Sequence, residues 1–455
     1  MHEALLSPIE AALEGQRFRG VQLRVFVLCT LIQVSDGFDI STVGMAAPAL
    51  SHAWGLPAAS FTPAFVMSLV GVLVGALLSG PASDRLGRKP VLVACAAIIG
   101  IFSLSSAFAG SLMQLTALRF LTGIGIGGAM PTSVALVSDY TPRRHRATVV
   151  MLSFTGATLG GFFSGQVAAL ILPVYGWQGV FAIGGLVPLA LVPALLLGAP
   201  ESVRFLIARG KLSGSSARLF DKLDITQAVA RAANMPHGVD IARGNPVAAL
   251  FRDGFAPRTL LLWIAYFANL LNMFLLGSWM PTVLHLSGET PAAAAFAGSM
   301  LSLGGALSAL YLGPLIDRFG AGRTLSVNFA AGALFIAAIS LIALPHLALL
   351  AVIFAAGAAT SGSQNATNAF AATLYPARIR TTGVGWALGA GRFGGISGPL
   401  LGGILLGLGW SPKLIFLCCC IPALVAAACI ALLGRRVGPR DAAAFERETP
   451  QLARL

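Results

Sequence analysis

Four ionisable side chains lie well inside long apolar stretches of the sequence, namely Asp36, Asp39, Arg119 and Arg392. A charge at the centre of a membrane-spanning helix costs about 2.5–3.5 kcal/mol, so residues of this kind commonly mark a path for ions or substrate. Asp36 and Asp39 are three residues apart and therefore share one face of a helix. The chemistry to expect from the four residues is proton transfer and the binding of an anion.

The two acids are the candidate proton carriers. Asp36 lies about 12 residues into its apolar stretch, or about 18 Å at 1.5 Å per residue, which is near the middle of a bilayer. No histidine lies deep in an apolar stretch, so the carrier is assigned to Asp36 or Asp39. The alternative is that both carboxylates only brace the packing of helices through a fixed arginine partner.

The composition shows which elements must position these residues. Of the 455 residues, 56% are hydrophobic and 10% are charged, whereas a soluble domain has about 25% charged residues. A bilayer core requires roughly 20 apolar residues in a helix, and twelve stretches of this kind can be recognised. The predicted spans are 24–48, 61–82, 90–109, 112–136, 147–172, 179–198, 258–284, 291–314, 324–344, 347–371, 381–406 and 412–434.

The spans divide the chain into segments with a clear charge asymmetry. Nearly all Lys and Arg lie in alternate loops, which places both termini and the central loop in the cytoplasm. The net charge of +13 is therefore a topology signal and requires no nucleic-acid partner. The predicted segments are a cytoplasmic N-terminal segment (1–23), an N-terminal six-helix bundle (24–200), a cytoplasmic central loop (201–257), a C-terminal six-helix bundle (258–434) and a cytoplasmic tail (435–455).

An internal repeat relates the two bundles. Gly80–Gly87 reads GPASDRLG, and Gly313–Gly320 reads GPLIDRFG 233 residues later. Gly160-Gly161 recurs as Gly394-Gly395 at an offset of 234. Duplicated halves of this kind are expected to hold a substrate site between them near the bilayer midplane.

Arg392 has no charged counterpart in the first half, because the equivalent residue is Thr158. A guanidinium group can bind a carboxylate through two parallel hydrogen bonds. We therefore predict that Arg392 binds the carboxylate of a substrate. The alternative is that Arg392 is the partner of Asp36 across the two halves.

The loop Gly80–Lys89, which reads GPASDRLGRK, resembles the signature loop of the major facilitator superfamily, and Gly313–Gly320 is a weaker copy of it. The resemblance covers nearly the whole chain. It implies an all-α membrane protein with twelve transmembrane helices in two pseudo-symmetric six-helix bundles, the major facilitator fold. It also implies transport by alternating access.

A narrower resemblance is to the aromatic acid:proton symporter family. It rests on Asp36–Asp39 (DGFD), on Tyr375–Gly383 and Gly389–Gly394, and on Ser278–Pro281 in the seventh span. The resemblance implies uptake of a benzoate-like carboxylate together with protons. The alternative function is a proton-coupled antiporter that exports drugs or metabolites.

In transporters that this sequence resembles, an arginine at the position of Arg119 faces an acid of the first helix. The resemblance therefore implies an Asp39–Arg119 or Asp36–Arg119 pair that breaks when the acid is protonated. A static ion pair is the alternative.

Polar and aromatic side chains inside the spans are candidates for contacting the rest of the substrate. The alternatives are packing, for the aromatic residues, and hydrogen bonds between helices, for the amides. These candidates are Phe38, Tyr266, Asn272, Trp279, Gln364, Asn365 and Trp386.

A further set lies at the cytoplasmic ends of the spans and cannot line a midplane site. We predict that these residues latch the two halves in the outward-open state, so that their substitution impairs turnover more than binding. They are Asp84, Arg85, Arg88, Asp139, Glu201, Arg204, Asp317 and Arg318.

Other classes of protein fit the sequence poorly. The glycine-rich stretches Gly123–Gly128 and Gly156–Gly161 do not follow a strand of a βαβ unit, which a nucleotide-binding loop requires. The six cysteines lie in apolar runs without metal-ligand spacing. No catalytic cluster is found. We expect a transporter, not an enzyme, that needs no cofactor or metal, uses protons as the coupling ion and works as a monomer in the cytoplasmic (inner) membrane.

Overall fold

The computed structural model describes residues 20–209, 215–223, 225–226, 246–252, 254–342 and 345–436. Within these ranges the regular elements are helices, and no β-strand is found. The prediction of an all-α protein is confirmed. Most of the predicted terminal segments and part of the central loop lie outside the described residues.

The chain forms two compact units, and each is described by itself. The first unit contains Met1–Leu56 and Pro63–Arg243, and the second contains Pro57–Thr62 and Gly244–Leu455.

The first unit is built from long apolar helices, in which every backbone polar group can be satisfied within its own helix, as a lipid environment requires. The element α5 contains the non-helical residue Gly176 (φ 63°, ψ −166°), which divides it into two helices that carry the predicted spans 147–172 and 179–198. The helices are α1 (Val21–Trp54), α2 (Thr62–Leu86), α3 (Arg88–Ser106), α4 (Leu112–Tyr140), α5 (Arg143–Gly198), α6 (Val203–Ala208) and α7 (Ser215–Lys222).

The second unit repeats this organisation. The predicted eighth span, 291–314, is divided between two helices, α10 and α11, that are bent by 42° relative to each other. A short 3-10 turn (Ala58–Phe61) joins this unit. The helices are α8 (Pro246–Ala249), α9 (Ala256–Leu286), α10 (Pro291–Leu307), α11 (Ala309–Phe319), α12 (Ala321–Leu341), α13 (His346–Thr373), α14 (Ala377–Gly407) and α15 (Pro412–Arg436).

Eight helices among the described residues are long and apolar enough to cross a membrane, and the bent pair α10 and α11 raises this number to nine. The element α5 counts once in this number, although Gly176 divides it into two helices that each carry a predicted span. Helices α1 and α14, which carry the predicted first and eleventh spans, are not among the eight. Multiple membrane crossings are confirmed, while the number twelve stays a prediction.

Glycine contacts show that both units pack their first and fifth long helices in the same way. In the first unit, a Cβ atom at Gly160 of α5 would overlap the carbonyl oxygen of Val34 in α1. In the second unit, a Cβ atom at Gly394 of α14 would overlap the carbonyl oxygen of Phe267 in α9. The two contacts join equivalent positions of the repeat, so the duplication found in the sequence is also present in the packing.

Candidate functional site

Asp39 and Arg119 form a buried ion pair in the first unit. Arg119 Nη1 donates a hydrogen bond to Asp39 Oδ2 at 3.0 Å, and both side chains are fully buried. Ser103 of α3 donates a second hydrogen bond to Asp39 Oδ1. Of the two pairings that the sequence allowed for Arg119, the structure contains the one with Asp39.

The surroundings of Arg119 hold its guanidinium group in place. Nη2 donates to the hydroxyl groups of Ser106, at 2.8 Å, and Thr122, at 3.0 Å. The guanidinium carbon lies 5.0 Å from the centre of the Phe181 ring, which is a cation–π distance. Two hydroxyl groups and a ring therefore hold this cation in place in addition to its carboxylate partner.

Asp36 lies one turn of α1 before Asp39 and has a different environment. Its side chain is 4% exposed, and neither carboxylate oxygen has a hydrogen-bond partner among the described residues. Gly37, between the two acids, lies so close to the backbone of Ala157 in α5 that a Cβ atom would overlap it. The two acids are therefore held on one tightly packed helix, one paired and one unpaired.

Gly184 of α5 provides the space for this arrangement and was not recognised from the sequence. A Cβ atom at this position would lie 3.2 Å from Ser103 Oγ, 3.3 Å from Phe38 Cε1 and 3.5 Å from Asp39 Oδ1. Phe38 itself is buried. Phe38 therefore packs beside the ion pair, on the side of α5.

Arg392 lies at the middle of α14 in the second unit and is partly exposed. No hydrogen bond or ion pair joins its guanidinium group to another described residue. The preceding residue, Gly391, approaches Tyr266 and Leu270 of α9, because a Cβ atom there would lie 3.4 Å and 3.1 Å from them. The charge of Arg392 is thus carried on the helix that packs against α9 and is not neutralised within the described part of the unit.

A chain of amides connects α9 with α13 in the same unit. Asn269 Nδ2 donates to Gln364 Oε1 at 2.8 Å, and Gln364 Nε2 donates to Asn368 Oδ1 at 3.1 Å. The hydroxyl group of Tyr266 donates to the same Asn368 oxygen at 2.8 Å. Tyr266 and Gln364 were predicted site residues, whereas Asn269 and Asn368 were missed. Asn269 lies three residues after Tyr266, and Asn368 lies four residues after Gln364. Each therefore shares a helix face with a predicted site residue, and this spacing could have identified it.

The other predicted substrate residues are placed differently. Asn272 is fully buried, and neither atom of its amide has a partner among the described residues. Trp279 is fully buried and donates its ring N–H to the carbonyl oxygen of Pro399 at 3.0 Å, so it joins α9 to α14. Trp386 is 47% exposed and stacks on Trp263. Asn365 is partly exposed on α13.

A second charged network lies at the end of the first unit that is predicted to be cytoplasmic. Arg88 forms an ion pair with Asp139, and Arg204 Nε lies 3.3 Å from the other oxygen of the same carboxylate. Ser202 donates to Asp139 at 2.5 Å and accepts from Arg88 at 3.0 Å. Three of the predicted gating residues therefore belong to one cluster that ties α3 to α4 and to the start of α6.

Glu201, a fourth predicted gating residue, caps the start of α3. Its Oε1 atom accepts hydrogen bonds from the backbone N–H groups of Arg88, at 2.8 Å, and Lys89, at 3.2 Å. A carboxylate at this end of a helix satisfies unpaired donors and interacts favourably with the helix dipole. Gly87, with φ 104°, allows the close approach, because a Cβ atom there would overlap the Glu201 carboxylate.

Four predicted gating residues lie outside this cluster. Asp84 and Arg85 are exposed, and Arg209 donates to their backbone carbonyls rather than to their side chains. Asp317 and Arg318 are exposed at the end of α11. The latch role of all eight residues stays a prediction.

Comparison with known proteins gives consistent results. The model of the Major Facilitator Superfamily matches residues 29–287 and 262–454. The chain is 39% identical over 428 residues to the 4-hydroxybenzoate transporter PcaK of Pseudomonas aeruginosa, covering 94% of this chain and 95% of that protein. It is 38% identical over 418 residues to the gallate transporter of Pseudomonas putida, covering 92% of this chain and 93% of that protein.

Solved structures support the fold. A bacterial homolog of the human lysosomal transporter Spinster, in an inward-facing and unoccupied conformation, matches with a TM-score of 0.68. The match covers 92% of this chain and 98% of that chain at 18% identity. At this identity the similarity concerns the fold alone.

Proposed function

The chain belongs to the major facilitator superfamily, and we propose that it imports an aromatic carboxylate together with protons. It is a multi-pass membrane transporter and not an enzyme. The two relatives described above are named as transporters of 4-hydroxybenzoate and of gallate. Both compounds are aromatic carboxylates, which supports the same class of substrate for this chain.

The proposal includes the setting in which the protein works. The membrane is the cytoplasmic (inner) membrane, and both termini face the cytoplasm, as the distribution of Lys and Arg favours. The working unit is a monomer, because one chain carries both halves of the repeat. Protons are the coupling ion, and no cofactor takes part.

The observation that carries the proposal is the buried ion pair of Asp39 and Arg119 beside the unpaired Asp36. An ion pair away from water is stable only while both charges are present, and removing one charge leaves the other uncompensated. Protonation of Asp39 is such a removal. It frees Arg119 from α1 while Ser106 and Thr122 still hold the guanidinium group. Whether Asp39 carries a proton therefore determines how strongly α1 is held to α4.

Arg392 supplies the anion site in this proposal. Its guanidinium group has no ionic partner among the described residues, so a substrate carboxylate can take that place with two parallel hydrogen bonds. A bound anion neutralises Arg392 as a bound proton neutralises Asp39. Protonation of Asp39 weakens the contact between α1 and α4, and the bound anion pairs the charge of Arg392, so the doubly loaded protein is the form that completes alternating access.

Uptake by purified protein in proteoliposomes tests the proposal. An acidic exterior should drive accumulation of labelled 4-hydroxybenzoate or benzoate, while glucose, which has no carboxylate, should not accumulate. Protein-free liposomes measure the passive entry of the neutral acids. If no aromatic acid accumulates above that background, or if an inward proton gradient drives export of a cation instead, the proposal is wrong.

A further inference from the structure

The glycine contacts fix which residues of the two units are equivalent. Gly160 against Val34 in the first unit corresponds to Gly394 against Phe267 in the second. The offset of 233 residues between Val34 and Phe267 applies along the whole of α1 and α9. Asn269 therefore occupies the position of Asp36, and Asn272 occupies the position of Asp39. The second unit therefore carries a pair of amides at the positions of the two acids.

The residues of the second unit that are equivalent to the partners of Asp39 also differ. A contact of Gly71 with the Phe120 carbonyl recurs as Gly304 with the Phe354 carbonyl, which sets the offset of α4 and α13 at 234. By this register Arg119 corresponds to Ile353, a fully buried residue.

Ser103, the second partner of Asp39, is also replaced. The loops that precede α3 and α12 are 233 residues apart, so Ser103 corresponds to Ile336, which is fully buried. The second unit thus has amides at the positions of the two acids and isoleucines at the positions of Arg119 and Ser103, and none of these residues titrates.

The amides of α9 serve a different network. Asn269, Gln364 and Asn368 follow one another through hydrogen bonds of 2.8 Å and 3.1 Å, and Tyr266 completes the chain. Every member is neutral at physiological pH. Gln364 and Asn368 are partly exposed, whereas Asn269 and Tyr266 are buried. The network therefore leads from an accessible surface into the interior of the unit.

Hydrogen-bonding capacity remains at both ends of this chain. Asn269 Oδ1 is buried and has no partner among the described residues, and it can accept a hydrogen bond. The two N–H groups of Asn368 form no hydrogen bond with another described residue, and they can donate. A phenolic hydroxyl group is at once a donor and an acceptor. The N–H groups of Asn368, at the partly exposed end of the chain, can donate to the oxygen of such a hydroxyl group without placing a charge beside it.

The anion site lies close by in the same unit. Gly391, adjacent to Arg392, approaches Tyr266, so Arg392 and the amide chain lie at neighbouring levels of α9 and α14. A molecule with a carboxylate at one end and a hydroxyl group on its ring presents groups that match both.

We propose that Asn269, Gln364 and Asn368 form a neutral subsite that binds a ring hydroxyl of the substrate, so that this chain selects hydroxylated benzoates over benzoate. The inference rests on the proposed function, because it names which aromatic carboxylate Arg392 holds. Selectivity arises because loss of the ring hydroxyl leaves the N–H donors of Asn368 unpaired. Tyr266 is a positioning residue that orients Asn368 through the hydrogen bond from its hydroxyl group.

The test compares uptake of 4-hydroxybenzoate and benzoate by proteoliposomes at one proton gradient. The wild type should show a clearly higher kcat/KM for 4-hydroxybenzoate. Gln364→Met keeps the length of the side chain but removes its hydrogen bonds, and Asn269→Leu does the same at the buried end. Each should reduce the ratio of the two kcat/KM values by about tenfold.

Asn328→Leu is the matched control. Asn328 donates to Ser363 at 2.8 Å and accepts from Tyr311 at 3.0 Å, apart from the chain of Asn269, Gln364 and Asn368, so its loss should leave the ratio unchanged. Tyr266→Phe provides a third variant that disturbs the chain if Asn269→Leu does not fold. It should lower the ratio by a smaller factor than Gln364→Met.

The outcomes separate this inference from the proposed function. If the wild type accumulates neither acid, the proposed function is wrong and the subsite is wrong with it. If the wild type accumulates both acids equally well, or if Gln364→Met and Tyr266→Phe keep the wild-type ratio, only the subsite is wrong.

Discussion

Asp39 and Arg119 lie 3.0 Å apart in an ion pair whose two side chains are both inaccessible to solvent. Asp39 also accepts a hydrogen bond from Ser103, so both of its oxygens are bound. Asp36, on the same face of α1, has neither oxygen bound among the described residues. One of two neighbouring acids is therefore paired with a cation, and the other is unpaired among the described residues.

Removal of Arg119 alone should destabilise the protein strongly. Arg119→Met leaves Asp39 buried without a cation, and we expect the free energy of unfolding to fall by about 3–5 kcal/mol. The double variant Asp39→Asn with Arg119→Met should regain most of that loss, because no unpaired charge remains. Thermal unfolding in detergent measures both values. Equal losses in the single and double variants would contradict a charged pair.

Asp36 should tolerate neutralisation better than Asp39 does. Asp36→Asn removes a buried carboxylate that has no hydrogen bond to lose, so the free energy of unfolding should not fall. Asp39→Asn has the same shape change but deprives the buried Arg119 of its anion, and should cost about 3–5 kcal/mol. Chemical or thermal unfolding of the two variants side by side gives the comparison. A larger loss in Asp36→Asn would show that Asp36 has a structural partner.

Arg392 should bind the substrate carboxylate through two hydrogen bonds of its guanidinium group and not through charge alone. Arg392→Lys keeps the charge but loses the paired hydrogen bonds, and we expect KM for the carboxylate to rise about tenfold. Arg392→Gln should abolish saturable uptake. Arg323→Lys, at an exposed arginine of the same unit, is the control and should leave KM unchanged. Saturable uptake by Arg392→Gln with the wild-type KM would place the anion site elsewhere.

Gly87, at the capped start of α3, should tolerate substitution less well than Gly320, the equivalent residue in the second half of the repeat. Gly87 and Gly320 have φ values of 104° and 82°, in a region that costs about 1–3 kcal/mol for other residues. A Cβ atom at Gly87 also meets Glu201, whereas one at Gly320 meets nothing within 4 Å. Gly87→Ala should therefore lower the midpoint of thermal unfolding more than Gly320→Ala. Equal shifts would show that the contact with Glu201 contributes nothing.

Much of the fold could be predicted from the sequence, because lipid imposes simple rules on length and polarity. Apolar stretches gave the helices, and the copied loops gave the repeat. The break at Gly176 falls between the predicted spans 147–172 and 179–198, so its position agrees with the prediction. The bend after Leu307 was missed, because Ser308 interrupts an apolar pattern very little.

The candidate site was predictable where charge made residues conspicuous. Asp36, Asp39, Arg119 and Arg392 stand out because ionised groups are rare in such helices. Which acid pairs with Arg119 depends on how α1 packs against its neighbours, including the close contact of Gly37 with Ala157 of α5.

Uncharged residues gave a weaker signal. Asn269 and Gln364 are 95 residues apart in sequence, and amides in helices commonly form structural hydrogen bonds. Their connection becomes visible only when α9 and α13 are placed together.

The most direct test of the central claim is to follow proton movement with substrate entry in lightly buffered proteoliposomes that contain a pH-sensitive dye. Protein-free liposomes provide the correction for passive entry of the neutral acid. Wild-type protein should acidify the lumen when 4-hydroxybenzoate is added outside. Asp39→Asn should lose this acidification while it still exchanges labelled for unlabelled substrate at equal pH on both sides. If Asp39→Asn moves protons with substrate at the wild-type ratio, the ion pair of Asp39 and Arg119 is not the coupling element.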